Sequence, residues 1–354
     1  MNYRKIFNKL SIFCVTLLLL VALIVVIADP FYHFHKPILG MKAVLMDRDY
    51  QVGGTLATFD YDAVILGTSI AENINTNQVD ELFDCTSVKA IRASGGNEDL
   101  MYYLDRAYET HDVKKVFYAM SVEEFIAAPV VTVTDSDFYY LLDNNPFNDL
   151  EYIFNRDVIF KKIPMEIGNS FLFDYDEGYS YSWFQTKEFS SDAVIGRYSP
   201  PSEFLDDVDY SDELSNVSVN VDHLKERINA HPDTVFYLYL SPNSALWWDV
   251  SVRSGELTGK LEVIDYLYSE LSDIPNVILF NYMFDEEITF NLDLFMDTVH
   301  FSQDINSKIV SDMSNETFDL SESDYGNLKN TFINRVLSFS HDEIKKYYPD
   351  AVLE

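Results

Sequence analysis

Ser69 closes the run Tyr61-Asp62-Ala63-Val64-Ile65-Leu66-Gly67-Thr68-Ser69. The apolar stretch reads as a buried strand, and the glycine before the two hydroxyl residues reads as a tight turn. Far downstream stands Asp297-Thr298-Val299-His300. A serine hydroxyl is a weak nucleophile until a neighbouring base takes its proton. An imidazole does this near neutral pH, and a carboxylate beside it can hold the ring and stabilise the imidazolium. Ser69, His300 and Asp297 together therefore suit nucleophilic acyl transfer.

The tetrahedral intermediate of that chemistry needs donors for its oxyanion. Backbone N–H groups at Ser69 and at Gly95 or Gly96 are the expected suppliers, since glycine in the turn Ser94-Gly95-Gly96-Asn97 lets the backbone approach closely. Each residue also has a plain reading. Ser69 suits a turn or a helix cap, Asp297 suits a helix cap, and His300 suits an ordinary loop.

The elements that must position these groups alternate in type. Strands are expected at about 62–67, 87–93, 115–120, 234–240 and 276–280, with helices from 70, through Leu100 to Ala107, at 217–230, at 255–272 and from 303. Such alternation implies an α/β fold, with a parallel five-stranded sheet between helices. Continuous apolar strands fit burial on both faces. Sites in such sheets lie beyond the carboxyl ends of the strands, where Ser69, Gly95, Asn243 and the 297–300 loop all fall. Residues 121–220 interrupt the rhythm with many aromatics, Pro200-Pro201 and an acidic run around Asp206–Glu213. They read as an insertion that covers the site.

Leu10 to Ala28 is almost wholly apolar and long enough to cross a bilayer core of ~30 Å. Arg4, Lys5 and Lys9 precede it and Asp29 comes after it, so the positive-inside bias puts the N-terminus in the cytoplasm and the rest outside. A cleaved signal peptide is the competing reading, with Val26 and Ala28 as small residues before a cleavage site. The expected organisation is an anchor at 1–28, a juxtamembrane segment at 29–60, a main domain at 61–322 with the 121–220 insertion, and a helical tail at 323–354. The net charge of −33 argues against nucleic acid and anionic headgroups as partners. Cys14 falls in the apolar segment and Cys85 outside it, so no structural disulfide is expected.

The order of Gly67-Thr68-Ser69, Ser94-Gly95-Gly96 and Asp297-x-x-His300 resembles the SGNH/GDSL hydrolase superfamily. The apolar anchor and Asp29-Pro30-Phe31-Tyr32-His33-Phe34-His35-Lys36-Pro37 look like its bacterial surface-polysaccharide branch, similar to the D-alanine transfer protein of teichoic acid synthesis and to alginate O-acetylation proteins. The resemblance implies a flavodoxin-like three-layer sandwich with Ser69 as nucleophile and Asp297 and His300 completing a triad. It further implies an esterase or acyltransferase acting on an acylated cell-surface glycan or acyl donor, with polysaccharide-assembly membrane proteins as possible partners and no cofactor. Two departures stand out. Thr68 replaces the usual aspartate, and Ser121-Val122-Glu123-Glu124 stands where a Gly-x-Asn-Asp block is expected. Asn97 and Asn243 are then the substitutes for the missing asparagine donor. A non-catalytic binding or scaffold role on the same fold is the alternative.

Other residues invite assignment. Trp247 and Trp248 after the fourth strand, with Asn243, are candidate substrate-binding residues, and Trp183 and Tyr181 could stack on a sugar ring from the insertion. Core packing is the competing reading for these aromatics. His33 and His35 lack a third partner for a metal, so no metal site is expected. Glu72 and Asn73, one turn after Ser69, either line the site or serve the start of a helix. The glycines at 95 and 96 lack dinucleotide-binding spacing.

Overall fold

The computed structural model describes residues 3–143, 145–315 and 325–353. In chain order the elements are α1 (Tyr3–Ala28), α2 (Arg48–Thr58), β1 (Ala63–Gly67), α3 (Thr76–Phe83), β2 (Ser87–Ile91), α4 (Asn97–Thr110) and β3 (Lys115–Met120). Then come α5 (Val122–Ile126), α6 (Leu150–Ile153), α7 (Ile163–Phe171), α8 (Ser191–Arg197), α9 (Ser211–Ala230) and β4 (Val235–Leu240). The chain continues with α10 (Ala245–Arg253), α11 (Leu257–Leu271), β5 (Val277–Asn281), α12 (Glu286–Thr289), α13 (Gln303–Ser314) and α14 (Tyr325–Ser338).

The chain divides into two compact units. One comprises residues 1–60 and 134–177, the other residues 61–133 and 178–354. The expected insertion at 121–220 is therefore not a single block. Its middle joins the segment after α1, while its two ends belong with the sheet.

The second unit is built on a five-stranded, all-parallel sheet in the order β2-β1-β3-β4-β5. That order is flavodoxin-like and reverses direction at β1, between β2 and β3. Right-handed crossovers then assign α3 to one face and α4, α9 and α11 to the other, and α13, after the last strand, joins the face of α3. The packing agrees, since α3 contacts α13 while α9 contacts both α4 and α11. β1 is wholly buried, as burial on two faces requires.

Two expected elements differ. No regular helix begins at 70; a short tight turn spans Ser69–Ala71, and α3 starts only at Thr76, where the Asn75 side chain accepts from the Gln78 N–H. An additional helix, α10, comes after β4 and before the helix expected at 255–272. The expected tail helix at 323–346 is regular over Tyr325–Ser338, widens into a π-helical turn over Phe339–Glu343 and ends in a 3₁₀ turn at Ile344–Lys346. The boundary expected at 322/323 lies outside the described residues.

In the first unit, the last turns of α1 are covered while its preceding turns are exposed. Asp29 is fully buried just past the helix, accepting hydrogen bonds from the Phe34 and His35 N–H groups and from the Tyr152 hydroxyl. His33 lies 3.0 Å from Asp149, and both ring nitrogens of His35 face main-chain carbonyls.

Candidate active site

Gly67 ends β1 where the chain must turn within a narrow space. A β-carbon there would lie 2.9 Å from Ala71 Cβ and 3.1 Å from Ala119 Cβ. Without one, the backbone folds at once into the 69–71 turn and lifts the Ser69 side chain above the sheet edge. The loop after α12 brings the second group. Ser69 Oγ lies 2.8 Å from His300 Nε2, and His300 Nδ1 lies 2.8 Å from Asp297 Oδ2 and 3.0 Å from Oδ1. A carboxylate at Nδ1 keeps the proton there, which leaves Nε2 free to accept the serine proton.

Asp297 is held from several directions. Its Oδ1 also accepts the Val299 and His300 N–H groups at 2.9 and 2.8 Å. Burial pushes the carboxyl up, yet the hydrogen bonds from the His300 ring and main chain outweigh it, and the group titrates below its ordinary value. The loop is pinned from outside as well. Ser244 donates its N–H and its hydroxyl to the Thr298 carbonyl, at 3.0 and 2.9 Å.

These groups open onto a cleft of about 350 Å³, lined by Ser69, Gly95, Gly96, Ser121, Glu123 and His300 among others. The N–H groups of Ser69 and Gly96 find no acceptor among the described residues, so both are available donors. The Gly95 N–H is committed to the Arg92 carbonyl at 3.1 Å, which corrects its expected role as an oxyanion donor. The turn is tight because Ser94 takes a φ of 55°. A second cleft of similar volume, lined by Pro200, Pro201, Tyr347 and Tyr348, contains no histidine.

Three further expectations are corrected. Asn97 points into the protein, where its amide donates to the Asn220 carbonyl and Glu98 while its oxygen accepts from Tyr118, leaving no free donor. Asn243 is buried beyond β4 and does not line the cleft. Trp247 and Trp248 belong to α10, whose apolar positions face inward. Trp248 packs edge-on against Phe332, and Trp247 donates to Glu123 beneath a Lys260 ammonium 4.2 Å from its ring. Their rings serve the core.

Other residues carry more than their sequence pattern suggested. Trp183 stands edge-on to the His300 ring, with centroids 5.4 Å apart, and its Nε1–H donates to the Ser69 carbonyl at 3.3 Å. Asn73 accepts the Trp183 and Phe184 N–H groups. Glu72 supplies a carbonyl to Ser182 and to Lys89. The Lys89 amine, fully buried under the Ser69 turn, donates to the Glu72 and Ser180 carbonyls, both at 2.6 Å. Burial pulls this amine down to about 7. A lysine within an apolar strand gives no local sign of such a role.

Glu124 occupies the place of the missing block. It is buried, accepts from the Thr68 hydroxyl at 3.0 Å and lies 3.2 Å from the Tyr118 oxygen. Burial pushes its carboxyl up to about 8. Tyr118 has one hydroxyl proton and two neighbours, Asn97 Oδ1 and Glu124. The proton count closes when Glu124 is neutral and donates to Tyr118, which donates to Asn97. Thr68 and Glu124 thus form a buried polar pair directly behind the Ser69 turn.

No family model matches the chain, and no curated protein matches it in sequence. Among solved structures, the chain is similar to a provisionally named platelet activating factor from Streptococcus pneumonia, at 12% identity and a TM-score of 0.40, covering 77% of this chain and 91% of that one. That likeness is too weak to carry an argument.

Proposed function

We propose that this protein is a membrane-anchored serine esterase or O-acyltransferase of the SGNH type, acting on short acyl esters of a cell-surface glycan. The observation that carries the reading is the continuous chain Ser69–His300–Asp297, with 2.8 Å at each link, opening onto a cleft at the carboxyl ends of the strands. Ser69 Oγ attacks the acyl carbonyl while His300 Nε2 takes its proton. The oxyanion sits against the Ser69 and Gly96 N–H groups. The tetrahedral intermediate collapses as His300 returns the proton to the departing alcohol, leaving an acyl-Ser69. Water or a sugar hydroxyl then attacks that ester, again losing its proton to His300, and Ser69 is released with its own proton restored. Among the side chains of the cleft, none of these steps calls for a cofactor.

The basic residues before α1 support an N-terminus in the cytoplasm and a site outside it. A surface polymer with acyl substituents then becomes the accessible substrate, and the machinery that assembles it the accessible partner. One observation favours a second reading, a binding or scaffold component. Glu124, where the usual block would stand, is spent on Thr68 and Tyr118 and offers the oxyanion no side-chain donor.

A fluorophosphonate probe on the full-length protein decides between them. The expected result is labelling of the wild type and none of Ser69→Ala. Absence of labelling in folded wild type, or equal labelling of both proteins, rejects the enzyme.

A further inference from the structure

We propose that the α6–α7 segment of the first unit is a membrane-docking surface, seated beside α1 with its outward side chains inserted among the lipids. The first observation is an inverted helix. Along α7 the inward positions are Ile163, Glu166, Gly168 and Ser170, so a carboxyl and a hydroxyl face the protein. Glu166 is buried, accepts from the Tyr32 hydroxyl, and has its carboxyl pushed up to about 8 by burial. The outward stripe at helical spacing is apolar instead. On α7 Ile167 is 45% exposed and Phe171 55%, with Phe160 in the π-helical turn just before it at 72% and Phe173 just beyond at 65%. A helix of a water-facing unit carries the opposite pattern. The apolar stripe continues through Leu150 and Phe154 at α6, both exposed.

The second observation says what covers this stripe. Both α6 and α7 pack against α1. On α1, Val25 and Ala28 are buried and the residues from Ile12 to Leu20 are exposed, so the contact lies at the last two turns. The apolar stretch from Leu10 to Ala28 spans about 28 Å at 1.5 Å per residue. That length barely matches a hydrocarbon core of ~30 Å, so its final turns lie at the bilayer boundary. Whatever packs on them lies at the same depth. The exposed phenylalanines are therefore continuous with a surface that α1 itself commits to lipid. Aromatic and aliphatic groups at that depth lower their free energy by leaving water. With a net charge of −33, insertion of apolar groups rather than attraction to anionic headgroups drives the contact.

The test uses the full-length chain, with Cys14 and Cys85 replaced by serine, reconstituted in phosphatidylcholine nanodiscs. An environment-sensitive nitrobenzoxadiazole label is placed on Phe171→Cys and, separately, on Phe160→Cys. Both side chains face outward, so neither change opens the core. The expected result at both sites is protection from aqueous iodide and loss of emission with spin-labelled lipid, stronger for a spin label near the headgroup than near the chain end. A label quenched by iodide and untouched by spin-labelled lipid overturns the proposal. So does one shielded from both, because the stripe would then be covered by protein. None of these outcomes depends on Ser69 chemistry, so the esterase reading can fail while this one stands.

Discussion

At the residue scale, the arrangement turns on what Asp297 does for His300. The carboxylate selects the ring tautomer that leaves Nε2 as the acceptor. Asp297→Asn keeps the shape but can donate to Nδ1, which favours the opposite tautomer. Turnover of an aryl acetate is expected to fall by about 10⁴-fold, with the fold unchanged by circular dichroism. Glu124 makes a different prediction. Its folded value of about 8 lies above the ordinary 4.5. Between those values the folded state holds a proton that the unfolded chain has lost. The contribution is therefore complete below about 4.5 and fades as pH rises toward 8. Glu124→Gln removes this titration, so melts at pH 5 and pH 8.5 should show a smaller pH-dependent loss than the wild type. An equal loss in both proteins would assign the effect elsewhere, Glu166 being a group with the same shift.

At the element scale, the strand-end turn is held by parts distant in sequence. The segment 178–186 reaches it through Trp183, Ser182 and the Ser180 carbonyl, and Lys89 from β2 ties the two together. The neutral amine has two donors for the two carbonyls it meets, which is why a lysine survives here despite burial. Its depressed value of about 7 means the unfolded chain binds the extra proton. The related stability is present above the ordinary 10.5 and is lost as pH falls toward 7. Lys89→Met leaves the Ser180 carbonyl without this partner, at about 1–3 kcal/mol, and leaves the Glu72 carbonyl to the Ser182 hydroxyl. Hydrogen exchange should rise at 180–184, and fluorophosphonate labelling of Ser69 should slow without being abolished. Unchanged exchange there would show that Lys89 does not hold the segment. The corresponding sequence signals were uneven. Apolar runs of four or more residues marked β1, β3, β4 and β5 to within a residue or two, and β2 was legible despite Lys89, while the helix α10 was hidden because Trp247-Trp248 reads equally well as a substrate-binding pair or as core.

At the scale of the whole molecule, α1 is tied to the segment just beyond it. Asp29 is buried against Tyr152 and the main chain at 33–35, and His35 Nε2 meets the Val26 carbonyl at 2.7 Å. Cleavage after Ala28 would cut through that packed junction. Protein purified from membranes should therefore retain the residues of α1 by intact mass, and a species beginning at Asp29 would contradict this. Local pattern alone was enough to reveal the apolar α1, the five strands and the hydroxyl at the end of β1, because each is written in contiguous residues whose period reports burial. It also marked Asp297 and His300 as a pair, since three residues separate them. Bringing His300 to Ser69 across 231 residues required the sheet order and the Ser244 contact with the 297–300 loop. The chain's direction through the fold likewise joined 134–177 to the segment after α1, buried Trp248, turned Asn97 inward and left the apolar side of α7 outward. Those outcomes depend on which surfaces meet in space. A side chain's neighbours in sequence do not specify whether the far wall of its pocket will be protein, water or lipid.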